Sequence, residues 1–286
     1  YHSVIFDASA SFDDIETFLE ARVNVENIVL GGSGFVMIND SLADLKSFAN
    51  AKNSKTMVVI GNPAEMQLNA IPILATAEFV AKRALRLTEG AVLGNLVLDA
   101  NEAYGGIEKH SLPYHNTPMS YKKPVGLITL AQLQDLTDAG ISFIVPADTG
   151  TTLGDFVTLY KLDNAGIADP NFKFLNAVDT SLAIQEYLFN NCKSQFGQTR
   201  ATNGDLVEGI SMQNTLSVKG FVLGLYKNLV SFALAQGSNE AIKYFQDNTT
   251  VTLDAATGYF SVYAPVAIVS QLRGLNGIVA ISYIFG

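Results

Sequence analysis

Apolar runs too short to be helices alternate, from Ser3 to Leu98, with segments whose apolar residues recur at helical spacing, and this alternation restricts the fold more than any other feature. Ser3 to Asp7 (SVIFD) reads as a strand, after which Phe12, Ile15, Phe18 and Leu19 share one helical face behind Ser11, an N-cap residue. Glu26 to Leu30 reads as a second strand, Gly31-Gly32-Ser33-Gly34 as a glycine turn, and Ser41 onward as a helix with Leu42, Leu45 and Phe48 on one face. Thr56 to Ile60 is a third strand, Glu65 to Leu87 a long helix, and Ala91 to Leu98 a fourth strand. Strands that are apolar along their whole length are covered on both faces, and when helices separate them the sheet is mainly parallel. The expected fold class is α/β: a three-layer core with a mainly parallel sheet, followed by an α+β C-terminal region ending in β-strands.

The rhythm stops between Asn101 and Pro124, a poorly periodic stretch that holds His110 and His115. Connections of that length are functional or lie on a neighbour. It resumes at Thr129-Leu130-Ala131-Gln132, which has capping-box spacing, with Leu130, Leu133 and Leu136 on one face and Gly140 as the stop. Ile141 to Pro146 is then a strand, residues 180–196 and 214–236 are long helical stretches, and Gly258 to Val266 and Ile278 to Phe285 are strands. The expected division is an α/β core portion over residues 1–125 and an α+β portion over residues 126–286.

Composition narrows the partners. Of 286 residues 48% are hydrophobic and 16% charged, ample for a sizeable core. Eighteen basic against twenty-seven acidic residues give a net charge of −9, with no Lys/Arg run longer than Lys122-Lys123, so no nucleic-acid partner is expected. Cys192, the sole cysteine, sits beside Tyr187, Leu188 and Phe189 and reads as a buried thiol. The most apolar stretch, Gly220 to Leu234, is broken by Lys227 and Asn228, so no membrane insertion is expected. The N-terminal residues lack the charged-then-apolar pattern of a signal peptide, and the start at Tyr1 reads as that of a piece of a longer chain.

Several local patterns have the residue types of catalytic motifs. Asp148-Thr149-Gly150 after an apolar strand has the local form of an aspartic protease, but that chemistry needs two such carboxylates and the chain has one copy; a turn is the plainer reading. Gly32-Ser33-Gly34 lacks both the third glycine of a dinucleotide fingerprint and a following Gly-Lys-Ser/Thr. Asp7 has no second aspartate for phosphotransfer, and His110 and His115 have only Glu108 nearby as a further metal ligand. No enzyme activity, cofactor or metal is expected, an α/β ligand-binding domain or hydrolase-like enzyme being the alternative.

The second half holds an ordered set of motifs: ITLAQLQDLTDAGISFIV, FKFLNAVDTSLAIQEYLFNNC, TLSVKGFVLGLYKNLVSFALAQG as a long helix ending in Gly237, and the closing TVTLDAATGYFSVYAPVAIVSQLRGLNGIVAISYIFG. In this set the chain resembles the contractile tail sheath proteins of bacteriophages and related injection machines. In the closing motif a strand, an Asp-x-x-x-Gly turn, a strand and an Arg-Gly link precede a terminal strand. The resemblance implies a structural subunit that self-assembles into a helical tube around an inner tail tube protein and shortens to drive it through a cell envelope. It implies a virion component, assembled in the host cytoplasm, with terminal arms that complete a sheet in neighbouring subunits.

The end of the chain fits such an arm. Ile281, Tyr283 and Phe285 alternate with Ala280, Ser282 and Ile284, and a strand of that pattern needs a paired edge. The candidate inter-subunit residues are Ile278, Val279, Ile281, Tyr283, Ile284 and Phe285, and the candidate pairing strand holds Tyr259, Phe260, Val262 and Tyr263. Pairing within one molecule, as a hairpin linked through Gly274 and Gly277, is the alternative arrangement.

Overall fold

In the computed structural model residues 2–22, 31–89, 118–126, 128–147 and 150–269 are described. The first element, β1 (His2–Ile5), is followed by α1 (Phe12–Ala21), whose N-cap Ser11 accepts from the Asp14 N–H, and by β2 (Gly32–Asp40). Helix α2 (Leu42–Asn50), capped in the same way by Ser41, leads to β3 (Met57–Pro63), and α3 spans Pro72–Glu89. After β4 (Pro118–Met119) come α4 (Leu130–Ala139), β5 (Ile141–Ala147) and β6 (Gly150–Leu153). The strands form one sheet in the order β1-β2-β3-β5-β6-β4. The first four in that order are parallel, and β6 and β4 are antiparallel additions. The mainly parallel α/β sheet read from the apolar runs is the one found.

Both faces are covered, which is why the strands carry no polar alternation. On one face Val36, Met57, Val59, Ile141 and Phe143 pack with Phe12 and Leu19 of α1, Leu45 and Ala49 of α2, and Leu136 and Ala139 of α4. On the other, Phe35, Met37, Val58, Ile60 and Ile144 pack with Ala75 and Phe79 of α3, and with Leu175. Lys161 ties the first layer together, its ammonium donating to the Ala49 carbonyl at 2.5 Å and the Ala139 carbonyl at 3.4 Å. One cation thus offsets the partial negative charge at the ends of both α2 and α4.

Four sequence expectations need correction. Gly32, Ser33 and Gly34 are not a turn but the start of β2, and a Cβ on Gly34 would stand 2.6 Å from Met57 Sδ on the neighbouring strand. The glycine there serves strand-to-strand approach. The long helix does not begin at Glu65: a 3-10 turn over Ala64–Met66 ends with Gln67 in the left-handed region, and α3 starts at Pro72, where a missing N–H costs nothing. Two residues read onto packed helical faces are not there: Leu130, as the first residue of α4, is 81% exposed, and Phe18 of α1 is 51% exposed while Phe12, Ile15 and Leu19 pack. The capping box Thr129/Gln132 and the stop at Gly140 are present as read. The strands expected at Glu26 to Leu30 and Ala91 to Leu98 lie outside the described residues.

The C-terminal region has its own core. Helix α5 (Leu175–Phe196) starts against the sheet and runs on into a cluster in which Ile184 and Tyr187 meet Val222, Leu225, Tyr226 and Leu229 of α6 (Thr215–Ser231) and Phe245 of α7 (Asn239–Asn248). Between α5 and α6 a short parallel pair, β7 (Arg200–Ala201) and β8 (Met212–Gln213), closes a loop. Cys192 lies half-buried against the cluster, and burial pushes its thiol up. The fourth correction is here: α6 ends at Ser231 and not at Gly237. Ala233 takes the left-handed conformation at φ 53°, while the Leu234 N–H reaches back to the Leu229 carbonyl at 3.0 Å and the Ala233 N–H to that of Val230 at 3.0 Å. That is a Schellman stop built on a non-glycine residue. Because Ala233 is exposed, Ala233→Gly should remove left-handed strain without losing packing and stabilise the fold by about 1 kcal/mol in a urea titration.

Candidate functional site

Thr250–Asp254 (TVTLD) and Tyr259–Tyr263 (YFSVY) alternate polar and apolar residues and form an antiparallel ribbon, β9 and β10, in register from Tyr259 opposite Asp254 to Tyr263 opposite Thr250. The turn between them is built by Asp254. Its carboxylate accepts from the Ala256 N–H at 2.9 Å and the Thr257 hydroxyl at 2.8 Å, its carbonyl accepts from the Gly258 N–H at 2.8 Å, and Gly258 supplies φ +75°. Those hydrogen bonds, the Thr257 hydroxyl first, hold the Asp254 carboxyl below its ordinary value. The Asp-x-x-x-Gly pattern therefore has a structural job, since it sets the register of the ribbon.

Period-two geometry sorts the side chains. Val251, Leu253, Phe260 and Val262 share one face, and β9 lies against α6. The opposite face carries Tyr259 and Tyr263, 56% and 62% exposed, and Val262 on the first face is itself 40% exposed. Among the described residues β10 pairs only with β9, so the alternate N–H and C=O groups on its outer side have no strand to meet. A two-stranded ribbon is marginal alone and gains from a third strand. Beyond β10 the chain folds back on the end of α6, with an Ala235–Ile268 bridge, the Gln236 N–H on the Ala267 carbonyl at 2.8 Å, and the Val269 N–H on that of Leu234 at 3.1 Å. The last described residues are thus anchored to the segment that follows α6.

The structure places Tyr259, Phe260, Val262 and Tyr263 together on β10, whereas Ile278, Val279, Ile281, Tyr283, Ile284 and Phe285 lie outside the described residues. Asp148, Thr149, Glu108, His110 and His115 lie outside them as well. Asp7 accepts from the Ser9 N–H at 2.9 Å, a local turn bond that lowers its pKa. Among the described residues no three His, Cys, Asp or Glu side chains come together as a metal site, and no helix is long and apolar enough to cross a membrane. Helix α7, which positions β9, was not read from the sequence, although Ser238 caps it and Ile242 and Phe245 face the core.

No protein-family model and no curated protein matches this chain. Its fold does match solved structures. A chain of the anti-feeding prophage baseplate superposes with a TM-score of 0.53 at 10% identity over 93% of this chain and 63% of that one. The sheath tail protein of Desulfitobacterium hafniense follows at TM-score 0.49 and 10% identity, over 94% of this chain and 54% of that one. The contracted helical sheath of the anti-feeding prophage gives 0.47 and 13%, over 86% and 61%. The chain has the fold of a prophage baseplate subunit and spans just under two thirds of its length.

Proposed function

We propose that this chain is a structural subunit of a contractile tail sheath, which self-assembles into a helical tube around an inner tail tube and contracts to drive that tube through a cell envelope. The observation that carries this reading is the C-terminal ribbon, whose outer edge and exposed Tyr259, Val262 and Tyr263 suit the addition of a strand from another subunit. The sequence resemblance of residues 129–286 to sheath proteins supports it, as does a fold shared with a subunit of a six-fold baseplate. The role is architectural and needs no cofactor, nucleic acid or membrane insertion. Its place is the tail of a phage-like particle, with assembly in the host cytoplasm.

In this reading the strand-like run from Ile278 to Phe285 is the donated arm. A head-to-tail contact that does not close on itself propagates as a helix. Truncation after Asn276 should leave circular dichroism and the cooperative melt unchanged while abolishing tubes in negative-stain micrographs. If the run is half of an internal hairpin, the truncated monomer will melt earlier or aggregate, because Phe260 and Val262 lose their cover. Intact tubes from the truncated chain would remove any essential role for the strand.

A further inference from the structure

We propose that the loop of residues 202–211 is a docking knob that seats on the exposed cationic face of α6 in a second copy of this chain. The inference rests on the self-assembling reading above but names a different contact from the strand edge. Three apolar side chains stand in the solvent within five residues: Leu206 at 48% exposure, Val207 at 53% and Ile210 at 48%. Clustered exposure of this kind marks an interaction surface. The loop is also held in shape. At its neck the Arg200 N–H donates to the Ser211 carbonyl at 3.0 Å and the Thr202 N–H to that of Gln213 at 2.9 Å. Further out Asn214 Nδ2 reaches the Gly204 carbonyl at 3.4 Å, and the Ile210 N–H closes a turn onto Val207 through Gly209 at φ +80°. A loop already ordered loses little conformational entropy when it is buried.

Charge selects the occupant. Asp205 and Glu208 flank the apolar side chains, and residues 201–218 contain no Lys, Arg or His. In a chain of net charge −9, residues 209–238 are the reverse, with Lys219 and Lys227 and no carboxylate. On α6 Leu216 is 76% exposed and Lys227 is exposed. Gly220 and Gly224 leave open ground between them, where an added Cβ would meet nothing within 4 Å. The knob cannot cover the far end of this face on its own helix, because Asn214 holds it at the α6 N-terminus and Lys227 lies about 18 Å further along the axis. A contact that takes in Lys227 therefore joins two copies, loop to helix, and being heterologous it repeats.

Charge reversal tests it, with sedimentation velocity and negative-stain microscopy of the whole chain. Val207→Asp with Ile210→Asp should raise the concentration needed for assembly on the order of tenfold, with an unchanged melt. Asp205→Lys with Glu208→Lys should weaken assembly, as should Lys219→Glu with Lys227→Glu, and the four changes together should restore it, which a merely structural role would not produce. Losses that add in the fourfold variant, or full assembly by the Val207/Ile210 variant, would overturn the knob while leaving the sheath reading in place. A wild-type chain that stays monomeric would overturn both.

Discussion

Asp179→Ala is expected to cost about 3–5 kcal/mol of unfolding free energy, the range for stripping one partner from a fully buried ion pair. Arg83 is 1% exposed and Asp179 4%, and the two meet in bidentate fashion, Nε on Oδ2 at 3.0 Å and Nη2 on Oδ1. The guanidinium also donates to Ser3 Oγ at 2.7 Å and lies over the Phe35 ring, 5.1 Å from its centroid. Without the carboxylate the buried guanidinium loses its bidentate anion, and that lost pairing is the main part of the cost. The pair joins β1, α3 and α5, so the same change should loosen the hold of the sheet on the helix that runs into the C-terminal core. Replacing both partners, Arg83→Met with Asp179→Leu, should cost clearly less than Asp179→Ala alone, because no buried charge then loses its bidentate partner. The chain has no tryptophan, so urea titrations followed by circular dichroism are the measurement. A loss under about 1 kcal/mol in Asp179→Ala would show that the pair is not buried as described.

Neither member of that pair was legible in the sequence. Arg83 lies in a helical stretch beside Lys82, where a charge reads as solvated, and its partner is 96 residues away. Only packing brings them together. The sheet, by contrast, was readable because its signal is local: continuous apolar runs such as Met57 to Ile60 carry their own burial on both faces. Capping residues were equally local, and Ser11 and the Thr129/Gln132 box stand where the spacing put them, while Ser41, read as the first helical residue, is the N-cap of α2. Readings failed where the same residues serve two uses. A glycine such as Gly34 suits a turn or a tight strand pair, and what decides between them is Met57, on another strand. Ala233 in the left-handed region carried no signal, since an alanine at a helix stop looks like more helix.

The candidate site divides in the same way. The β10 strand could be read from a β-branched and aromatic run short of charge, and the Asp254 to Gly258 turn came with the family resemblance. That β10 meets no second strand among the described residues could not be read, because an edge is defined by what does not pair with it. The exposed trio Leu206, Val207 and Ile210 passed unread because apolar residues within a short run are normally core, and their exposure follows only from the β7–β8 neck that holds them outward.

Val59→Asp should be the most damaging single change on the sheet. Val59 is 0% exposed on β3, between Val36 of β2 and Ile141 of β5 in the ladder, and it packs toward Leu45 and Leu136 on the helical layer. A carboxylate there finds no donor in its apolar cluster, so the expected cost is several kcal/mol, a large share of the roughly 5–15 kcal/mol that a domain has. The pH dependence separates this cause from simple loss of volume. Burial would raise the new carboxyl's folded pKa above its unfolded value near 3.9, so the folded state holds the proton more tightly across that window. Relative stability of the variant should then improve as pH falls from 7 toward 5, where the neutral acid is favoured, and worsen as pH rises. Val59→Ala, which leaves a cavity but no charge, should cost less and show no such slope. Urea midpoints at the two pH values measure both effects. A Val59→Asp protein that is soluble and melts cooperatively at the wild-type temperature would mean that β3 is not the buried centre of a parallel sheet.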